Sequence, residues 1–174
     1  MPPRAKKTDP EILAMPRQKM AVVYTSGDPG AAAQAALPAL FGAVYALKFQ
    51  RKKEGNDFKV SPPRVRWPDA HLVPRDQWTG VWGLPIPDDV KTLPQKVPDV
   101  AVKVETWRYG TVAQILHMGS YSEEGPSVAR LHEFVEESGY VLSGPHEEEY
   151  ITRPTAKVMK TIIRYEVKKK RRGT

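Results

Sequence analysis

A chain of 174 residues without cysteine has the length of one compact domain; it excludes disulfides, thiolate metal ligands and cysteine nucleophiles, and makes a cytoplasmic setting the default. With 40% hydrophobic and 27% charged residues, it carries enough apolar mass for a core and is not compositionally disordered. The net charge of +7 suggests an anionic partner, but residues 1–19 carry +3 and residues 168–172 carry +5, leaving −1 for the stretch between.

The ends are therefore read as a flexible basic N-terminal segment (1–19) and a basic C-terminal tail (168–174), limited to weak, salt-sensitive contacts with nucleic acid. Met1 to Met20 has no apolar run of signal-peptide length. The first strong element is Met20 to Thr25, a strand. Gly27-Asp28-Pro29-Gly30 follows as a turn whose Asp28 carboxylate can cap a helix. Leu37, Leu40, Phe41, Val44 and Leu47 recur at helical spacing, and Pro38 predicts that the helix kinks there or begins close to it. The apolar stretch Ala31–Phe49 holds Gln34, Pro38 and Lys48, so it reads as a buried amphipathic helix and no membrane partner is expected. Phe58–Trp67 and Trp78–Leu84 supply two more extended segments, and residues 85–100 form a proline-rich connector.

The second half repeats that order. Gly110–Ser120 alternates as a strand, Pro126 suits a first helical turn, and Val128, Leu131, Phe134 and Val135 recur at helical spacing before Gly139 ends the helix. Tyr140–Leu142, His146–Thr152 and Thr161–Val167 read as strands, with a split at Gly144-Pro145. The order strand, helix, strand, strand thus occurs over 20–84 and again over 101–167. The expectation is an α+β fold over 20–167, in which the duplicated β-α-β-β unit forms one antiparallel sheet with helices on one face and a central ligand cleft on the other.

Several chemistries have no motif here. There is no phosphate-binding GxxxxGK[ST] loop and no GxSxG nucleophile elbow. His71, His117, His132 and His146 form no closely spaced ligand pair, so neither a metal site nor a cofactor is expected.

What remains is His146-Glu147-Glu148-Glu149-Tyr150 on a strand. Alternation puts Glu148 and Tyr150 on one face and Glu149 on the other. Three adjacent glutamates are poor strand formers; they fit an exposed acidic edge, or a carboxylate in an aromatic-lined cleft that pairs with a cation or activates water. Tyr121, after Gly119-Ser120 at a strand-to-helix junction, fits either a packing role or a hydroxyl directed at a ligand. His117 is read as a structural histidine. Trp67, Trp78, Trp82 and Trp107 suit a core or an apolar pocket, and Gly80 between Trp78 and Trp82 leaves room for a flat ligand or for close packing.

These residues resemble the GyrI-like small-molecule-binding domain, the effector-binding domain of multidrug-responsive regulators. The resemblance is carried by VAQILHMGSY, LHEFVEESGY, HEEEY and KTIIRYEV in the second half. MAVVYTSGDPG, YALKF and SPPRVRW in the first half resemble the stand-alone branch that includes cyclopropanoid cyclopropane hydrolases. The resemblance implies a central aromatic cleft with a buried glutamate, Glu148, beside Tyr150, with Tyr121 at the strand end. In that branch a glutamate follows the first-half proline pair; here Pro62-Pro63 is followed by Arg64-Val65-Arg66-Trp67, which lacks it.

The leading expectation is a monomer or dimer that binds planar aromatic, cationic or electrophilic small molecules, with Glu148 as anion and Trp67, Trp82, Tyr121 and Tyr150 as walls. An alternative is a hydrolase of strained cyclopropane rings in genotoxic aromatic compounds, with Glu148 orienting water and Tyr121 as acid. A second alternative is a protein-interaction or inhibitor role.

Overall fold

The computed structural model describes residues 8–171. Residues 1–7 and 172–174, the outer parts of the two expected tails, lie outside the described residues. In chain order the elements are β1 (Glu11–Met15), β2 (Gln18–Ser26), α1 (Pro29–Lys53), β3 (Arg64–Trp67), β4 (Thr79–Pro85), β5 (Lys103–Trp107), β6 (Gly110–Met118), α2 (Gly125–Glu137), β7 (Tyr140–Leu142), β8 (His146–Tyr150) and β9 (Lys160–Lys169). The described residues form two compact units, one of residues 17–108 and one of residues 8–16 with 109–171.

The 17–108 unit has an antiparallel sheet ordered β5-β2-β4-β3, on which α1 packs against β2 and β4. Asp28 caps α1 as its spacing predicts, accepting from the backbone N–H of Gly30 and Ala31 at 3.0 and 3.2 Å. The helix begins at Pro29 and runs through Pro38. A proline at the first turn costs nothing, and the interior one removes a single hydrogen bond, to the Gln34 carbonyl, in a helix held by its packing. By length and composition α1 could cross a membrane. Here it is the core helix of its unit: Ala32, Ala36, Ala39 and Ala43 form a narrow stripe flanked by buried Leu40, Val44 and Leu47. β3 is shorter than the extended segment expected from Phe58, because Pro62 and Pro63 have no N–H to give to a ladder.

The other unit repeats the plan, with sheet order β1-β6-β9-β8 and β7 also on β9. α2 covers one face: Leu131 and Val135 pack with Ala113, Ile115, Ile163, Tyr165 and Val167. The split between β7 and β8 falls at Gly144, where a Cβ would come within 2.8 Å of the Glu166 Cβ. Gly139 ends α2 at φ +81°, the left-handed backbone that glycine adopts without strain.

The α+β class and the duplicated antiparallel β-α-β-β unit are therefore as the sequence predicts. Two strands differ. β1 lies inside the segment expected to be flexible, and β5 precedes the second repeat's first long strand. Each is an added edge strand: β5 lies beside β2 and β1 beside β6. Lys168 and Lys169, expected in the tail, extend β9 because β7 pairs with them.

Candidate functional site

The site is built on β8. Its alternation divides HEEEY into two faces with different chemistry. Glu147 stands opposite Arg164 and Glu149 opposite Ile162. On that face Arg164 Nη1 donates to Glu147 Oε2 at 2.7 Å and to Glu149 Oε1 at 3.2 Å, its Nε donates to Gln114 Oε1 at 2.8 Å, and the Tyr109 hydroxyl reaches Glu147 at 3.1 Å. Glu147 and Arg164 are both buried. Burial works against the guanidinium charge, but the two glutamates more than offset it and hold Arg164 protonated.

The other face carries His146, Glu148 and Tyr150, and it is the face that α2 covers, since Glu148 stands opposite Ile163. Glu148 is 9% exposed. Its Oε2 accepts from the Tyr150 hydroxyl at 2.7 Å, and its Oε1 lies 3.1 Å from His146 Nε2. The other imidazole nitrogen, Nδ1, lies 2.6 Å from the Tyr165 hydroxyl, which fixes the ring. Tyr121, in a single 3-10 turn at Tyr121–Glu123, sets its ring edge-on to Tyr150 with centroids 5.4 Å apart, and is half-exposed.

A fourth acid completes the cluster. Glu124 is the N-cap residue of α2, yet its side chain makes no capping bond. Instead it is buried beside Glu148, and its Oε1 has no hydrogen-bond partner. Burial, then the hydrogen bond and charge of Glu148, push the Glu124 carboxyl up to about 9. Glu148 moves the opposite way: burial raises it, but the hydrogen bonds from His146, Glu124 and Tyr150, with the charge of His146, together hold it well below the ordinary carboxylate range. Two carboxyls in one buried site thus share a proton near neutral pH, residing on Glu124, with the negative charge on Glu148. Burial and the Glu148 charge push Tyr121 and Tyr150 upward, so both phenols stay protonated as donors.

Of the five residues singled out from sequence, Tyr121, Glu148 and Tyr150 come together here. Trp67 and Trp82 lie in the 17–108 unit as core residues, 4% and 2% exposed, with rings 5.4 Å apart and edge-on. The space over Gly80 reserved for a flat ligand is filled by those rings: a Cβ there would meet Trp82 Nε1 at 2.7 Å and Trp67 Cζ3 at 2.9 Å. Trp82 Nε1 donates to Thr25 Oγ1 at 2.9 Å, which holds its indole in place. His117 is structural, as expected; its Nε2–H donates to the Ser120 carbonyl at 2.9 Å and its Nδ1 accepts from the Ser127 hydroxyl at 2.8 Å.

Glu124 and His146 were not among the expected site residues. His146 was within reach, because the alternation that pairs Glu148 with Tyr150 also places residue 146 on the same face. Glu124 reads only as an acid near a helix start. A shallow groove of about 450 Å³ in the 17–108 unit, lined by Tyr45, Lys48, Asp57 and Phe58, has no comparable acidic cluster; its Asp57 is paired with Lys48 at 2.7 Å.

The model of the GyrI-like small molecule binding domain matches residues 8–167. An uncharacterized conserved protein from Listeria innocua is similar at 29% identity, with 94% of each chain covered and a TM-score of 0.82. A hydrolase from Listeria innocua is also 29% identical, with 95% of this chain and 94% of that one covered and a TM-score of 0.77. The C-terminal domain of EcmrR shares the fold at 14% identity and a TM-score of 0.68, over 93% of this chain and 98% of that one. No curated protein sequence matches.

Proposed function

Because the chain belongs to the GyrI-like small-molecule-binding family, we propose that it receives planar aromatic cations or electrophiles in the cytoplasm at the Glu148 cluster. The observation that carries this reading is a buried anion with a poor set of permanent counter-charges. Glu148 is 9% exposed, and its partners are phenol, imidazole and a protonated carboxyl rather than Lys or Arg. Arg164, the nearby guanidinium, is committed to Glu147 and Glu149. A desolvated carboxylate of that kind gains most from a diffuse organic cation, which is cheaply stripped of water, and the Tyr121 and Tyr150 rings offer faces and edges against which it can stack.

A second reading, hydrolysis, is supported by the similarity to a hydrolase from Listeria innocua and by the placing of a buried carboxylate, Glu148, beside the phenols of Tyr150 and Tyr121. Glu148, held low, would orient a water by accepting its hydrogen bond, and would take up the proton once the water oxygen has bonded to a carbon of a strained three-membered ring and become an acidic oxonium. The ring C–C bond breaks, and its electron pair moves to a conjugated oxygen. Tyr121 protonates that oxygen or hydrogen-bonds to it, so that the net change is addition of one water.

One experiment serves both readings. In chelator-treated buffer, binding of a cationic aromatic dye is followed by fluorescence, and an electrophilic cyclopropane is incubated with the same protein. Glu148→Gln is expected to weaken dye binding by about 1–3 kcal/mol, the range for a desolvated charged partner. Unchanged affinity overturns the assignment. Formation of the water adduct selects the hydrolase, and retained binding without turnover selects the binding domain.

A further inference from the structure

The geometry points to a second kind of ligand at this cluster: we propose that Glu124, His146 and Glu148 form a binding site for a divalent transition-metal ion of the Zn²⁺, Co²⁺ or Mn²⁺ class. One ligand atom from each of the three residues lies within 4.8 Å of the other two. No spacing rule applied to histidines alone finds this set, because its imidazole comes from β8 and one carboxylate from the start of α2.

The donors of β8 are held so that their ligating atoms face each other, in a hydrogen bond whose proton an ion would replace. The His146 ring is tied through Nδ1 to the Tyr165 hydroxyl at 2.6 Å, which leaves Nε2 facing Glu148 Oε1 at 3.1 Å. A metal-binding histidine characteristically has its other nitrogen fixed in this manner. The Tyr150 hydroxyl occupies Glu148 Oε2 at 2.7 Å and so turns Oε1 toward the imidazole. The 3.1 Å separation of Nε2 and Oε1 is close to the roughly 3.3 Å expected between neighbouring donors around a tetrahedral ion with bonds of about 2.0–2.1 Å. All three ligand atoms lie within 4.8 Å of one another, so the Glu124 carboxylate reaches a shared ion by a rotamer adjustment.

Independently of that spacing, one carboxyl oxygen of Glu124, Oε1, is buried without a hydrogen-bond partner. The residue is 9% exposed and makes no helix-capping bond. Native proteins rarely bury an acceptor in that state, and an ion would supply the missing interaction. A mixed set of one imidazole and two carboxylates suits zinc, cobalt, manganese or ferrous iron better than magnesium or calcium, which prefer oxygen alone. Three protein donors leave at least one position for water or for a ligand atom.

The proposal does not rest on the organic-cation reading, although the two ligands would compete for Glu148. The test uses the full chain freed of metal with chelator. Zn²⁺ is titrated by calorimetry, and Co²⁺ is titrated with its visible d–d absorption and paramagnetically shifted imidazole proton resonances as readouts. One equivalent bound at micromolar concentration or below is expected. A shifted N–H resonance from the ring hydrogen-bonded to Tyr165 should appear, and affinity should fall by tenfold or more in both Glu124→Gln and His146→Gln. Binding that survives His146→Gln unchanged, or the absence of a single-site isotherm below millimolar Zn²⁺, overturns the proposal. If either variant fails to fold, the wild-type Co²⁺ spectrum decides: no imidazole resonance shifted by cobalt, no site. Dye binding in chelator is the separate measurement on which the organic-cation reading stands or falls.

Discussion

The two units share a ladder but not a chemistry. Ser26 pairs with Thr79 at the end of β2, and Met118 pairs with Lys160 at the end of β6; counted back from those rungs, Trp82 corresponds to Ile163 and Val65 to Glu148. Arg64 and Arg66 then correspond to Glu147 and Glu149, and Trp67 to Tyr150. In the 17–108 unit the row Val23, Trp82, Val65 is wholly buried and apolar, closed by the Trp67 ring. In the other unit the same row ends in a carboxylate that needs a tyrosine, a histidine and a second glutamate around it. A repeated backbone has thus been filled once with an apolar row and once with a buried polar cluster, and all the polar groups that make the difference lie within reach of one strand.

The sharpest way to break that comparison is to write the second unit's chemistry into the first. Val65 is fully buried, and its register places Trp82 opposite it, with no hydroxyl or imidazole at the corresponding neighbours. Val65→Glu is expected to cost about 3–5 kcal/mol of stability, the range for an uncompensated buried charge, read by urea denaturation. Near-native stability would mean that the scaffold accepts a buried glutamate at either position. In that case the cluster around Glu148 is no special provision.

A smaller effect tests the packing side. Gly80 corresponds to Thr161, which is 1% exposed, so the backbone position itself tolerates a side chain. What forbids one at Gly80 is the pair of indoles and the Thr25 hydroxyl bonded to one of them, since an added Cβ meets Thr25 Oγ1 at 2.6 Å, Trp82 Nε1 at 2.7 Å and Trp67 Cζ3 at 2.9 Å. Gly80→Ala should therefore cost about 1–3 kcal/mol through displaced rings. A change below about 0.5 kcal/mol, small enough for an ordinary surface site, would show that the rings have room to move and would restore the flat-ligand seat that the sequence suggested.

The same contrast explains what could be read from the sequence. Helices with strong periodicity and long alternating strands were legible, and so was their repetition, because burial on one face imposes those periods. β1 and β5 were not, since edge strands bury little and EILAM carries no clean alternation. The meeting of Glu148, Tyr150 and Tyr121 was legible from strand alternation and the strand-to-helix junction. The indoles were ambiguous, because a tryptophan in a core and one in a ligand wall obey the same alternation. Glu124 was not legible, because its role depends on a contact between the start of α2 and β8 that no local pattern encodes.

The finest distinction between the units is the shared proton, and its sign can be tested in chelated buffer. The Glu124 carboxyl is raised to about 9 in the folded chain, so between its ordinary value and 9 the folded state holds a proton that the unfolded state has released. The stability tied to that proton is full below the ordinary carboxylate range and drains as pH rises toward 9. Glu148, held low, contributes in the opposite sense: its share is present above the ordinary carboxylate range and is lost only as pH falls toward 2. Glu124→Gln keeps an N–H donor for Glu148 and removes the first dependence alone. The variant should gain on the wild type as pH is raised from 5 to 9, by about 1 kcal/mol or more, since one pKa unit is worth about 1.4 kcal/mol, measured as the difference in denaturation midpoints. A difference that stays flat with pH would mean that the two carboxyls do not share a proton, and Glu124 would become a packing residue like its neighbours on α2.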